Sequence, residues 1–201
     1  MTADQRHSEP ANPTVSARRR VPGEEGIWVF VLFDMTIFAL FFATFMYSRA
    51  KNRQTFSHDH ASLHTALGTL NTVLLLTSSL LVALGVQQLN SGVHRGTPRL
   101  FGAALACGLG FVIVKAAEWS QLFAEGKSVN GGEYFSYYFM FTGIHLLHVL
   151  IGCVVLSRLT VGARRSALTS NQTMLCEAGG IFWHMVDLLW VVLFALFYLM
   201  R

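Results

Sequence analysis

The chain has 201 residues, of which 53% are hydrophobic and 13% are charged, and its formal net charge is +4. Soluble domains usually carry about a quarter charged residues, so this chain lacks the groups needed to cover a water-facing surface. The small positive charge is not combined with base-reading motifs, which argues against nucleic acid as a partner. The three cysteines form no CxxC pair, so they predict neither a disulfide framework nor a thiolate metal cluster.

In chain order, the first element is a polar segment at residues 1–22. It contains three prolines and a run of three arginines at positions 18–20. The apolar run that follows is too long for the core of a signal peptide. We therefore predict a flexible, basic tail on the cytoplasmic side.

Five apolar stretches follow, at residues 26–47, 67–89, 100–123, 134–156 and 178–200. A helix of about 22 residues is long enough to cross a hydrocarbon core of roughly 30 Å. Because lipid cannot satisfy backbone N–H and C=O groups, these segments are predicted to be helices. The predicted fold is an all-α integral membrane protein, with a five-transmembrane-helix bundle at residues 23–201.

Basic residues predict the orientation of the bundle. Placing the N-terminus in the cytoplasm puts nine basic residues on that side and five on the other. This distribution favours a cytoplasmic N-terminus and a periplasmic C-terminus. The basic cluster after the first apolar stretch favours the opposite orientation.

Ionisable residues at membrane depth each need a partner or a function. They are Asp34 on the first helix, Lys115 and Glu118 on the third, His145 and His148 on the fourth, and Glu177, His184 and Asp187 on the fifth. Lys115 and Glu118 are an i,i+3 pair that can neutralise each other. Asp34 has no charged partner on its own helix, so it is either protonated in an apolar setting or paired across helices. A functional role and a subunit contact are both open for it.

The fifth helix carries a polar stripe. Glu177, His184 and Asp187 share one side of the helix, and Trp183 and Trp190 occupy a neighbouring face.

The fourth and fifth helices are predicted to be antiparallel neighbours, which brings His148 and His184 to a similar depth. The two histidines could ligate a haem or a metal, join a network with the carboxylates, or satisfy each other and hold the helices together. On the third helix, the small residues Gly102, Ala106 and Gly110 predict a face for close helix packing.

Several motifs together resemble a known family, subunit III of the haem-copper oxidases. Residues 182–190, Phe-Trp-His-Met-Val-Asp-Leu-Leu-Trp, are similar to its W-H-F-x-D-x-x-W helix, and Glu177 stands at the expected place upstream. Residues 143–149, Gly-Ile-His-Leu-Leu-His-Val, resemble its G-x-H-G-x-H-V motif. Asn71-Thr72 and Glu118-Trp119 fit the second and third helices. The resemblance covers residues 23–200.

Departures from the family pattern indicate which branch of the family the chain resembles most. Asp34 replaces a glutamate that is common in the family, Leu146 replaces a glycine, and two helices of the longer seven-helix form are missing. The opening at residues 26–30 and the Asp34-Met35 pair are most similar to the NorE-like branch, which is associated with nitric oxide reductase. A five-helix subunit III of a cytochrome c or quinol oxidase is the alternative.

The resemblance implies a non-catalytic accessory subunit in a bacterial inner membrane. In the family this subunit binds no redox cofactor; haem and copper belong to the partner catalytic subunit. The resemblance also implies bound phospholipids, for which Arg158, Arg164 and Arg165 are the headgroup candidates, and a link between Asp34 and proton uptake. It predicts that Glu118, His145, His148, Glu177, His184 and Asp187 form a buried polar network.

The sequence also allows two hypotheses from other functional classes. One is a free-standing b-type cytochrome that uses His148 and His184. The other is a small proton-coupled transporter that uses Asp34, Lys115 and Glu118, although the absence of proline from the predicted helices counts against it. The sequence leaves open the identity of the catalytic partner, the electron donor, the choice between oxygen and nitric oxide, and the oligomeric state.

Overall fold

A computed structural model describes residues 25–51, 65–92, 96–129, 132–164 and 170–200. The predicted tail at residues 1–22 lies outside these ranges. So does Arg165, one of the three candidates for a lipid headgroup.

Five long helices make up the described part of the chain: α1 (Glu25–Lys51), α2 (Thr65–Asn90), α3 (Thr97–Ala124), α4 (Glu133–Gly162) and α5 (Ser170–Phe194). A π-helical turn, Ala195–Leu199, continues α5. All five helices are long and apolar enough to cross a membrane. The prediction of an all-helical, multi-pass membrane protein with five spans is confirmed.

Helix ends differ from the predicted spans. α4 continues beyond its predicted end at residue 156 to Gly162, and α5 starts at Ser170 instead of residue 178. Hydropathy marks the apolar part of a helix, whereas backbone hydrogen bonding continues into the polar residues beyond it. α3 starts early enough to include Pro98, which is tolerated in the first turn because no intrahelical bond is lost there.

The most extensive contact is between α2 and α3. α3 also packs on α4, and α5 lies against both α2 and α4. α1 is the most peripheral span and packs mainly on α5. It also contacts α4 through aromatic rings, such as Phe41 stacked on Phe141 at 5.5 Å. Its outer side remains apolar and exposed.

The tightest helix approach surrounds Trp183, which is 1% exposed. A Cβ at Gly152 would lie 2.5 Å from its ring, and a Cβ at Gly108 would lie 2.9 Å from it. The packing face predicted at Gly102, Ala106 and Gly110 is not the closest helix approach within the described bundle. Gly102 and Gly110 would have only ordinary contacts with an added Cβ, because α3 turns its Gly108 side toward α4 and α5.

Candidate functional site

A fully buried cluster forms around Lys115, in which the predicted ion pair with Glu118 is present. The Lys115 ammonium donates hydrogen bonds to Glu118 Oε2 at 3.0 Å, to the Tyr138 hydroxyl at 2.9 Å and to the Tyr198 hydroxyl at 2.9 Å. Tyr198 donates to Glu118 Oε1 at 2.6 Å. Since the Tyr198 proton is used there, Tyr138 donates to the Tyr198 oxygen across 3.2 Å. We refer to these four residues as the Lys115 cluster.

The Lys115 cluster satisfies its own charges. An ammonium has three donors, and all three are used. The ion pair is electrically neutral, and the Lys115 nitrogen also lies 4.9 Å from the centre of the Trp190 ring. A buried ion pair is tolerated in a low dielectric only when its geometry is good and further hydrogen bonds satisfy it, and this cluster meets both conditions.

Tyr138 and Tyr198 are the members of the cluster that sequence reasoning missed. Tyr198 belongs to the π-helical turn at the end of α5, where Leu196, Phe197 and Tyr198 are all buried. Tyr138 precedes the predicted site residue His145 by two helical turns and therefore shares its side of α4. That shared face was the one signal that could have found it.

Asp34 is paired across helices. Its Oδ1 lies 3.2 Å from His148 Nε2 on α4, and both side chains are mostly buried. The other ring nitrogen, His148 Nδ1, lies 2.9 Å from the Ile144 carbonyl oxygen. A carbonyl can only accept, so Nδ1 must carry a proton and donate it.

The 3.2 Å contact between Asp34 and His148 is an ion pair when the ring carries a proton on both nitrogens, and otherwise a polar contact with the carboxyl group. The second oxygen, Oδ2, is buried without a hydrogen-bond partner in the described ranges. The sequence left open whether this carboxyl group is protonated or paired across helices, and the structure identifies His148 as its partner.

His145 is placed differently from its neighbour on the same helix. Its ring is 1% exposed and packs edge-on against Phe111 at 5.7 Å and beside Trp190 at 5.4 Å. Neither ring nitrogen has a hydrogen-bond partner among the residues that the structure describes. The two amide atoms of buried Asn71 are in the same situation.

The polar stripe on α5 is divided between two environments. Asp187 is 7% exposed, and its Oδ1 has no hydrogen-bond partner in the described part of the chain. His184 is exposed, and its Nδ1 lies 2.6 Å from the Ser79 hydroxyl on α2. Glu177 is half-buried and lines the same cleft as His184. Trp183 and Trp190 both point into the bundle, and Trp190 donates to Thr72 Oγ1 at 3.0 Å.

The six residues predicted as a buried polar network do not form one network, although His184 and Asp187 interact with each other and with Ser79. Glu118 belongs to the Lys115 cluster, His148 to the pair with Asp34, and His184 to the contact with Ser79. In the described ranges, no three His, Cys, Asp or Glu side chains are grouped so that they could hold a metal ion.

The candidate lipid-binding arginines lie where α4 ends. Arg158 lines a cleft of about 440 Å³ between the end of α4 and the start of α5, together with Leu159, Val161, Gln172 and Leu175. Arg164 is exposed beyond this cleft and does not line it.

The chain is similar in sequence to known proteins along most of its length. A family model described as cytochrome c oxidase subunit III matches residues 19–201. A probable cytochrome c oxidase subunit 3 from Nocardia farcinica is 28% identical over 176 residues, which cover 88% of this chain and 87% of the relative. Quinol oxidase subunit 3 of Bacillus subtilis is 26% identical over 175 residues, which cover 87% of this chain and 85% of the relative.

A third relative is larger. The heme-copper oxidase subunit I+III of Aeropyrum pernix is 26% identical over 179 residues, which cover 86% of this chain but 22% of that protein. The family match extends over all five spans and includes every ionisable membrane residue described above. The chain belongs to the cytochrome c oxidase subunit III family.

Proposed function

We propose that this chain is a non-catalytic accessory subunit of a bacterial haem-copper complex, which stabilises a catalytic subunit that carries the haem and copper. The observation that supports this most is the Lys115 cluster, whose ionisable groups at membrane depth bond to one another and leave no donor for a substrate. The name of the Aeropyrum pernix relative, subunit I+III, supports a catalytic subunit I as the partner. The proposed location is the bacterial plasma membrane, with a cytoplasmic N-terminus and a periplasmic C-terminus.

Within the family, we assign the chain to the NorE-like branch. The opening at residues 26–30, the Asp34-Met35 pair and the Trp-His-Met-Val-Asp sequence at residues 183–187 support this assignment. The second candidate is the five-helix subunit III of a cytochrome c or quinol oxidase, and the names of the relatives favour it. The two candidates differ in whether the complex reduces nitric oxide or oxygen.

Affinity purification tests the proposal directly. The tagged chain is purified from its own membranes in a mild detergent, and its partners are identified by mass spectrometry. We expect a haem-copper catalytic subunit to co-purify, and consumption of oxygen or nitric oxide by the complex then distinguishes the two candidates. A reduced-minus-oxidised spectrum with haem bands from the chain alone would instead support a free-standing cytochrome.

The Asp34–His148 pair supports a role in proton supply to the complex. The pair joins α1 and α4 within their membrane-spanning segments, where Asp34 Oδ1 lies 3.2 Å from His148 Nε2. Burial leaves Oδ2 without a hydrogen bond from the described residues. A carboxyl group with one unused oxygen can take up or release a proton without breaking the contact that holds the two helices.

Asp34→Asn tests this role because the amide is nearly isosteric and can still donate to a neutral His148. We expect normal assembly of the complex but slower turnover, or faster loss of activity during turnover. The measurement is oxygen or nitric oxide consumption over a series of pH values, with subunit content checked on the same sample. Thr36→Val is the matched control, because the Thr36 hydroxyl bonds its own backbone at Leu32. If Asp34→Asn keeps full activity and durability, the pair serves packing only.

The cleft beside Arg158 supports phospholipid binding. A guanidinium at the rim of a cleft with leucine and valine walls matches a phosphate headgroup attached to apolar chains. We expect Arg158→Ala to lower the anionic phospholipid that co-purifies with the chain, as measured by lipid mass spectrometry. Arg99→Ala, a change of an exposed arginine in the first turn of α3, should leave the lipid content unchanged. Equal lipid content in both variants would contradict this assignment.

A further inference from the structure

A largely apolar cleft that carries several polar side chains opens on the outside of the bundle between α2 and α5. Its volume is about 450 Å³, and its lining includes Ala83, Gln87, Asn90, Glu177, Gly180 and His184. Ser79 adjoins it, because its hydroxyl contacts His184 Nδ1 at 2.6 Å. We name Ser79 and these six residues the α2–α5 face.

The outer surface elsewhere is suited to lipid. α1 exposes Val29, Leu32 and Leu40, and α3 exposes Ile113, which is 69% accessible. Two outward hydroxyls of α1 bond their own helix. Thr36 donates to the Leu32 carbonyl at 2.7 Å, and Thr44 donates to the Leu40 carbonyl at 2.9 Å. Such residues need no partner from another chain.

His184 does not follow this pattern. It lies near the middle of the span Gln172–Leu199, and its side chain is exposed on the surface of the bundle. Nδ1 is bonded to Ser79, whereas Nε2 makes no hydrogen bond within the described ranges. Ionisable residues at this depth almost always face protein or a water-filled cavity, because lipid offers them no hydrogen bond.

A small residue on the same face would allow another helix to come close. Ala83 is exposed on α2, whereas Gly180 is buried and lets α5 lie against Val82 and Val86 of α2. Membrane helices associate through small residues that bring backbones together and through hydrogen bonds between polar side chains. The α2–α5 face offers the small residue Ala83 beside the polar side chains of Gln87, Glu177 and His184.

We propose that the α2–α5 face receives a transmembrane helix of the catalytic subunit, and that a polar side chain of that helix hydrogen-bonds His184 Nε2. This inference rests on the proposed function, since it assigns the surface through which the accessory subunit binds its partner. The apolar outer sides of α1 and α3 then face lipid.

Photo-crosslinking in native membranes tests the assignment of the face. A benzophenone-bearing amino acid is placed at position 83 in the cleft and, as controls, at position 40 on α1 and position 113 on α3. We expect position 83 to crosslink to the catalytic subunit. The two control positions should crosslink to lipid and not to the catalytic subunit. A crosslink to the catalytic subunit from position 40 or 113 but not from 83 would overturn the proposal, as would a crosslink from 83 to a second copy of this chain or to lipid alone.

His184→Leu tests the hydrogen bond. We expect it to lower the affinity for the catalytic subunit by about threefold to tenfold, which is the factor that one hydrogen bond between membrane helices contributes. The unfolding temperature of the chain alone should be lowered only slightly, because the bond to Ser79 that is lost is at an exposed side chain. The matched control is Thr36→Val, an outward polar-to-apolar change that should leave affinity intact. Unchanged affinity of His184→Leu would contradict the proposal.

The same experiments separate this inference from the proposed function. If tagged wild-type chain recovers no haem-copper subunit at all, the proposed function itself is wrong. If the subunit is recovered but crosslinks elsewhere, only the assignment of the α2–α5 face is wrong.

Discussion

The Lys115 cluster and the contact between His184 and Ser79 both place ionisable side chains deep in the membrane, yet their surroundings are opposite. Lys115 and Glu118 are each 1% exposed, and all three ammonium donors are used. His184 is exposed and has one hydrogen bond, to Ser79. A cluster whose donors and charges are all paired stabilises the fold of the chain itself. A ring nitrogen such as His184 Nε2, which lies at the same depth without a hydrogen bond from the described residues, indicates a contact with another molecule. Substitutions should therefore act on folding in the first region and on assembly in the second.

The largest effect is expected for Lys115→Met. It leaves the Glu118 carboxylate buried without its counter-charge, and removing one partner of a buried ion pair typically costs about 3–5 kcal/mol. We expect the double variant Lys115→Met/Glu118→Leu to lose less stability than the single variant, because no buried charge remains. Unfolding of the purified chain in detergent, by heat or by denaturant, measures both. A double variant that is less stable than Lys115→Met would show that the cluster contributes net stability beyond charge balance.

A smaller effect is expected where the bundle is packed most tightly. In Gly152→Ala the added Cβ would lie 2.5 Å from the Trp183 ring, and over-packing of this kind costs about 1–3 kcal/mol. Gly162→Ala, on the same helix, is the matched control because nothing lies within 4 Å of its added Cβ. The same unfolding assay applies. Equal stability of the two variants would mean that Trp183 moves aside without cost.

The sequence predicted the spans well because hydropathy depends on composition alone. It predicted the Lys115–Glu118 pair as well, since residues three apart on a helix are neighbours. It did not find Tyr138 or Tyr198, because their contacts depend on how α4 and α5 are rotated against α3. Helix ends such as Gly162 were also missed, since polar residues continue a helix beyond its apolar segment.

Helical periodicity predicted which residues share one face of a helix, but not which other helix that face contacts. It placed Glu177, His184 and Asp187 on one side of α5, yet that side crosses the boundary between the interior and the surface of the bundle. Asp187 is consequently buried and His184 exposed. For Asp34, the sequence indicated that a partner from another helix was one of two solutions. Only the packing of α1 on α4 identifies that partner as His148.

The smallest effects are expected from removing a single hydroxyl, either the one of Thr72 in the interior of the bundle or the one of Ser79 beside the exposed His184. Thr72→Val takes away the acceptor of the Trp190 indole N–H, which is fully buried. A buried donor left without a partner costs about 1 kcal/mol or more. Ser79→Ala removes the hydroxyl that contacts Nδ1 of the exposed His184 ring and also interacts with Asp187. Hydrogen bonds between membrane helices average only about 0.6 kcal/mol.

We therefore expect Thr72→Val to destabilise the chain more than Ser79→Ala when unfolding of the chain alone is measured. In the assembled complex the order should reverse for binding: Ser79→Ala frees the His184 ring to rotate and weakens the contact with the catalytic subunit, whereas Thr72→Val leaves that surface intact. Both substitutions remove one hydroxyl from α2, so they differ mainly in which way the side chain faces. If Ser79→Ala costs the isolated chain as much stability as Thr72→Val, the contact with His184 belongs to the fold, and the α2–α5 face loses its main support as a surface for a partner.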